Sequence, residues 1–120
     1  MNNQNGLIQD KTFNFALKII ELYKVLCNNN EFVISKQLLR SGTSIGANVE
    51  EATAGQTKKD FITKMAIASK EARETRYWLR LLKYSNLFEY NLDEYLLSIE
   101  EIIKILTAIV KTAQFNLSNN

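Results

Sequence analysis

The sequence alternates between four long stretches with helical periodicity and three short polar breaks. Within each stretch the apolar residues recur at alternating spacings of three and four, which places them on one face of an α-helix. The pattern predicts helices over about residues 10–28, 35–55, 58–85 and 92–115. The breaks contain Asn28–Asn30, Gly55 and Ser85–Asn86, residue types that favour turns and helix ends.

The first two predicted helices differ in the character of their apolar rows. The first begins at an N-cap on Asp10, and its predicted core row is Phe13, Ala16, Ile20, Tyr23 and Cys27. The second ends at a C-cap on Gly55, and its row is Leu38, Gly42, Ile45, Val49 and Ala52. Because a glycine inside a helix costs about 1 kcal/mol relative to alanine, Gly42 and Gly46 indicate that a neighbouring helix approaches closely.

The third and fourth predicted helices have longer apolar rows. The third starts after an N-cap at Thr57, and its row is Phe61, Met65, Ala68, Ala72, Thr75, Leu79 and Leu82. The fourth starts with Asn91 and Glu94 spaced as in a capping box, and its row is Leu96, Ile99, Ile103, Leu106, Val110 and Ala113.

Short breaks between long amphipathic helices make neighbouring helices antiparallel. The sequence therefore predicts a single all-α domain over residues 1–120, an antiparallel up-down-up-down four-helix bundle. The fourth helix has further apolar residues beside its main row, namely Tyr95, Ile102, Ile105 and Ile109. One core needs only one apolar face, so either a like subunit covers this second face or the contact with the core is wide.

The composition argues against catalysis. There is no histidine among the 120 residues, which removes the commonest general base and the commonest metal ligand. The single cysteine, Cys27, suits a reducing compartment and has the spacing of a small core residue. The N-terminus lacks the pattern of a signal peptide, and no apolar run approaches the length of a membrane span. We expect a cytoplasmic, non-enzymatic protein with no metal, no cofactor and no membrane partner.

Charge is distributed unevenly along the chain. Residues 58–83 contain eight lysines and arginines against three acids, and residues 84–120 contain two against five. The candidate nucleic-acid-binding residues on the third helix are Lys70, Arg73, Arg76, Tyr77, Arg80 and Lys83, with Tyr84 next to them. Basic side chains interleaved with aromatic ones suit phosphates and stacked bases. The alternative is a solvated helix face with intrahelical pairs such as Lys70–Glu74.

A second polar group spans the second and third helices. The candidates for a polar contact between helices or subunits are Arg40, Ser44, Asn48, Glu51, Glu71 and Glu74. Paired carboxylates can also perform acid–base chemistry or bind iron, but iron-binding bundles use Glu-x-x-His motifs, which this chain cannot form.

Two long motifs carry a resemblance to a known family. They are QLLRSGTSIGANVEEA at residues 37–52 and KEARETRYWLRLL at residues 70–82, with Asp60-Phe61-Ile62 and Lys64-Met65 between them. The sequence resembles the bacterial four-helix-bundle proteins related to the 23S rRNA intervening-sequence proteins. The family's recurring serine, asparagine and glutamate on the second helix match Ser44, Asn48 and Glu51, and the glutamates of its third helix match Glu71 and Glu74.

The resemblance implies a bundle that assembles into a homopentameric ring and associates loosely with RNA, and it brings no catalytic residues. The sequence thus predicts a non-catalytic, homopentameric binding protein associated with RNA or a ribonucleoprotein. The alternative is a protein–protein interaction scaffold that does not bind nucleic acid.

Overall fold

A computed structural model describes residues 3–119, with side chains described from Gly6 onward. The helices are α1 (Asn3–Asn28), α2 (Ile34–Thr53), α3 (Lys58–Ser85) and α4 (Asp93–Ser118). Together they form a rod-shaped bundle of 52 × 22 × 22 Å. None of the helices in this part of the chain is both long and apolar enough to cross a membrane.

Cross-helix pairs show that neighbouring helices are antiparallel. Arg40 pairs with Glu71, whereas Glu51, further along α2, pairs with Lys64, which comes earlier in α3. The same inverse order links α4 to α3 and to α1. Between α1 and α2, residues 9 and 53 pair, and Gly42 lies against Ile19. The predicted antiparallel up-down-up-down four-helix bundle is confirmed.

The apolar rows predicted for α2 and α3 form the core of the bundle. Their buried members are Leu38, Gly42, Ile45, Val49, Ala52, Met65, Ala68, Ala72, Thr75, Leu79 and Leu82. Helix α2 supplies the small residues that bring it close to α1. A Cβ atom added at Gly42 would lie 2.9 Å from two side-chain carbons of Ile19, and one at Gly46 would lie 3.3 Å from the Thr12 carbonyl oxygen. The close approach expected from these glycines is therefore present.

The core face of α1 differs from the predicted one. The buried residues are Ile8, Thr12, Phe15, Ile19, Leu22 and Leu26, all 0–3% exposed. Phe13 and Ile20, which were predicted to face the core, are 60% and 37% exposed. Helix α1 has two apolar rows that both follow the three-and-four spacing, so periodicity alone does not choose between them. The prediction selected the row that contains Phe13 and Ile20 instead of the buried one, and it was wrong.

The second apolar face of α4 belongs to the core. Ile102 is 1% and Ile109 6% exposed, and Tyr95 and Ile105 pack partly buried against the same cluster. Burial raises the pKa of the Tyr95 hydroxyl to about 12. Of the two alternatives, the wide contact with the core accounts for the burial of these residues.

Some of the predicted helix ends are found, and others are not. The Thr57 side chain accepts a hydrogen bond from the Asp60 N–H at 3.0 Å and caps α3 as predicted. Asn30 and Asn86, in the polar breaks, adopt left-handed backbone with φ of 62° and 56°. Asp10, in contrast, lies inside α1 and is no N-cap. Helix α2 ends at Thr53 with Ala54 as its C-cap, so Gly55 does not have the predicted role.

Carboxylate and amide side chains accept hydrogen bonds from backbone N–H groups at the starts of α2 and α4. Glu31 accepts from the N–H groups of Val33, Ile34 and Ser35 at 3.2, 2.9 and 2.6 Å, which satisfies the free amides at the start of α2. The Asn91 side chain accepts from the Asp93 N–H at 2.9 Å. Glu94 pairs with Lys18 of α1 instead, so the predicted capping box is not formed.

Ser35 gives a prediction about stability. Its hydroxyl is buried and has no hydrogen-bond partner in the described part of the chain, and an unpaired buried polar group costs about 1–3 kcal/mol. We expect Ser35→Ala to raise the free energy of unfolding, measured in urea, by about 1 kcal/mol. Ser44→Ala is the matched control, because the Ser44 hydroxyl donates to the Arg40 carbonyl oxygen at 2.7 Å. A Ser35→Ala protein less stable than wild type would contradict this account.

Candidate nucleic-acid interface

The side of α3 that points away from the core carries exposed basic and aromatic side chains. Lys70, Tyr77 and Tyr84 follow one another at seven-residue intervals and form one line along the helix, and Arg73 and Arg80 form a second line beside it. All five are exposed, with Tyr77 at 52% and Tyr84 at 70%. We term these five residues the α3 outer face.

Two of the predicted binding residues turn towards α4. Arg76 pairs with Glu100 at 2.9 Å, and Lys83 pairs with Asp93 at 3.0 Å. The hydrogen bond with Asp93 raises the pKa of the Lys83 amine. Acids of the fourth helix therefore neutralise part of the basic third helix, which leaves a smaller positive surface than the sequence predicts.

Three cations remain available on the α3 outer face. Within the described residues, no carboxylate lies within 4.0 Å of Lys70, Arg73 or Arg80. Arg73 donates a hydrogen bond to the Thr107 hydroxyl at 3.2 Å, which holds its guanidinium over the groove between α3 and α4. Lys111 lines the same groove from the α4 side. Within the described residues none of these groups forms a salt bridge, although the charge of Lys70 also acts on Glu74 of its own helix.

A second polar cluster lies between α2 and α3. Arg40 bridges Glu71, at 3.1 Å, and Glu74, and the Trp78 indole donates to Glu74 at 3.0 Å. The Glu71 side chain is only 12% exposed. Hydrogen bonds from Trp78 and from Arg40 lower the pKa of the Glu74 carboxyl, and the bond to Glu74 raises that of Arg40. The cluster links α2 to α3 by ion pairs.

The other residues predicted for this polar contact do not join it. Ser44 donates to the Arg40 carbonyl oxygen, and Asn48 donates to the Ser44 carbonyl oxygen at 2.9 Å, so both bond within their own helix. Glu51 lies towards the other end of α2 and pairs with Lys64 at 3.3 Å. The six predicted residues thus divide into a three-residue ion cluster, two helix-internal hydrogen bonds and a separate ion pair.

Sequence reasoning missed two sets of partners. The hydroxyl of Thr75 donates to Ser41 across the α2–α3 core at 2.9 Å, and both residues are fully buried. Glu100 and Asp93 were not recognised as partners of the basic helix. Asp93 and Glu100 are seven residues apart, as are Arg76 and Lys83. Two antiparallel helices can therefore match both acids with both bases, and this equal spacing is the signal that could have identified the pairs.

The described residues show no arrangement typical of metal binding. No group of three or more histidine, cysteine or acidic side chains in this part of the chain is placed to hold an ion. Glu71 and Glu74 are held by Arg40, and Glu51 lies apart from them with Lys64. Charged side chains of the described surface form ion pairs with one another.

These features define a small antiparallel helical bundle with a basic, tyrosine-bearing outer face. The chain belongs to the 23S rRNA-intervening sequence protein family, whose model matches residues 4–108. A solved structure from Bacteroides thetaiotaomicron, a protein of unknown function from the S23 ribosomal protein family, is 46% identical, with a TM-score of 0.86. That match covers 90% of this chain and 98% of the other. No curated protein is significantly similar. The resemblance read from the two motifs is confirmed.

Proposed function

We propose that the protein is a non-catalytic RNA-binding protein that acts in the cytoplasm as a homopentameric ring, and that its α3 outer face contacts the RNA. The observation that carries the proposal is the pattern on this face. In the described part of the chain, three cations that form no salt bridge lie beside two exposed tyrosines. Cations bind backbone phosphates, and exposed aromatic rings stack on bases. The family to which the chain belongs supports RNA as the ligand.

The spacing of the α3 outer face favours single-stranded RNA. Tyr77 and Tyr84 are seven residues apart, as are Arg73 and Arg80, so each pair spans about 10.5 Å along the helix. The two lines run side by side, which allows phosphates to follow the arginines while bases stack on the tyrosines. Bases within a duplex are already stacked on one another, and only unpaired bases can stack on a tyrosine side chain.

Assembly into a ring strengthens this binding. Each subunit repeats the α3 outer face, so a ring concentrates positive potential and offers several contacts to one RNA chain. Native mass spectrometry of the purified protein tests the ring directly, and the expected species is five chains. A species that remains monomeric at micromolar concentration would contradict the ring.

The double variant Arg73→Ala/Arg80→Ala tests the interface. We expect its affinity for a labelled single-stranded RNA of about 20 nucleotides to fall about 10- to 100-fold at moderate salt. Loss of two phosphate contacts also lowers the slope of log affinity against log salt by about 1 to 2. Fluorescence anisotropy across a salt series measures both quantities.

The matched control removes the same charge elsewhere. Lys36→Ala/Lys58→Ala changes two exposed lysines outside the α3 outer face, and its affinity should stay within about threefold of wild type. An equal loss in both double variants would show that net charge alone, not this face, governs binding. Wild-type protein that binds no RNA at low salt would contradict the proposed function and favour the scaffold alternative.

A further inference from the structure

The outer side of α1 carries a second row at heptad spacing. Asp10, Phe13, Leu17, Ile20 and Lys24 follow one another at intervals of three, four, three and four, and we term them the α1 outer row. Its apolar members are 60%, 49% and 37% exposed. The core row of α1 lies on the other side of the helix, so the outer row stays partly exposed in the described subunit.

An apolar row of this spacing is the seam by which one helix packs along another. Single exposed apolar residues are normal on a protein surface, but three in one line, bounded by charges, indicate an interaction surface. The sequence predicts an apolar face beyond the needs of the core on α4, whereas the structure has such a face on α1. The charges around this face indicate which helix packs against it.

The charges at the two ends of the row identify the occupant. No salt bridge within the described residues involves Asp10 or Lys24. By contrast, Lys11 and Lys18 on the neighbouring side of α1 pair with Glu101 and Glu94 of α4. The outer row therefore presents one uncompensated acid at one end and one uncompensated base at the other.

Leu17 lies midway between these charges, seven residues from each, or about 10.5 Å along the helix. An antiparallel copy of α1 centred on Leu17 would place Leu17 against Leu17 and Asp10 against Lys24 at both ends. A parallel copy would instead align acid with acid and base with base. Such self-complementarity about a twofold axis is the requirement for an isologous contact.

We propose that the α1 outer row binds the α1 outer row of a second copy of this chain, in antiparallel orientation about a twofold axis at Leu17. One helix from each subunit makes a small interface, so the association is weak and depends on concentration. The contact goes beyond the proposed function. A ring of five joins two different patches on each subunit, whereas a twofold contact joins subunits, or whole rings, in pairs.

Charge reversal tests the orientation. Asp10→Lys and Lys24→Asp each replace two attractive pairs with two repulsive ones, and each should weaken the pairing about 10-fold at low salt. The double variant Asp10→Lys/Lys24→Asp restores opposite charges and should return to within about threefold of wild type. Sedimentation equilibrium over a concentration series measures these affinities. A double variant as weak as the single ones overturns the proposal.

Cross-linking tests the register independently of affinity. In a Cys27→Ser background, Leu17→Cys should form a disulfide-linked dimer on oxidation, because the two positions face each other across the axis. Lys24→Cys should not link to itself, since its two copies lie about 21 Å apart in the antiparallel arrangement. A mixture of Asp10→Cys and Lys24→Cys proteins should form the mixed dimer. A Lys24→Cys homodimer would show parallel pairing and overturn the proposal.

The experiments distinguish failure of the α1 contact from failure of the pentameric ring. Leu17→Asp should abolish the pairing and leave a single ring intact, which halves the largest assembly seen in native mass spectra. Rings without any Leu17→Cys cross-link overturn the α1 contact and leave the proposed function standing. Cross-linked dimers without rings support the α1 contact and contradict the pentamer. Circular dichroism confirms that each variant keeps its helical content.

Discussion

Replacing Gly42 with valine is expected to lower the free energy of unfolding by about 3 kcal/mol. A Cβ atom at this position would lie 2.9 Å from both Cγ atoms of Ile19 and 3.3 Å from its Cβ. These are the branched, inner atoms of a fully buried side chain, so they cannot swing away as a long side-chain end could. Valine adds two further methyl groups to the same space, and α1 must move off α2. Urea denaturation measures the loss.

Two further substitutions separate crowding from helix propensity. Gly42→Ala should be milder, because alanine gains about 1 kcal/mol of helix propensity that offsets part of the clash. Combining Gly42→Ala with Ile19→Ala makes room for the new methyl group, so the double variant should lose less stability than the sum of the single changes. Strict additivity, or a Gly42→Val protein as stable as wild type, would contradict the close approach of these helices.

Replacing Arg40 with alanine is expected to lower the free energy of unfolding by about 2 kcal/mol at neutral pH. The change leaves the nearly buried Glu71 carboxylate without its counter-charge, and also removes one of two partners of Glu74. The Arg40 side chain is 49% exposed, so solvent screening keeps the loss below that of a fully buried pair. Glu71→Gln in the Arg40→Ala background should recover part of the stability, because it removes the unpaired charge.

The pH dependence of stability tests the role of Glu74. The folded state lowers the pKa of Glu74, so its contribution to stability is present above the unfolded pKa of about 4.3 and is lost as pH falls through the folded value. Trp78 is the larger cause of this lowering and Arg40 the smaller. Stability of Arg40→Ala should therefore still fall on acidification, as chemical denaturation at several pH values would show. Loss of all acid sensitivity, or full stability at neutral pH, would contradict the assigned roles.

The α2 and α3 core rows could be predicted from the sequence because each of those helices has only one apolar row of sufficient length. Helix α1 has two rows of equal spacing, and the choice between them depends on where Gly42 meets Ile19, which is a tertiary contact. The width of the α4 contact is likewise set by two neighbouring helices, α1 and α3, at once. The cap of α2 was missed because Glu31, rather than a short polar residue, supplies it.

The candidate interface was only partly predictable for a similar reason. Exposure of Tyr77 and Arg80 follows from their position opposite the core row of a helix. The loss of Arg76 and Lys83 to α4 depends on the register between two helices, which single-helix patterns do not contain. Arg76 and Lys83 are seven residues apart, as are Asp93 and Glu100. In an antiparallel pair of helices, matching these opposite charges would have given the register.

The order of the helices around the bundle has a consequence for valency. Helices α1 and α3 each pack on α2 and α4, so they occupy opposite corners of a bundle about 22 Å wide. Two subunits joined through α1 would present their α3 outer faces in opposite directions, separated by the thickness of both bundles. Such a pair would be a bivalent linker that holds two RNA segments apart, and it could not close around a single one.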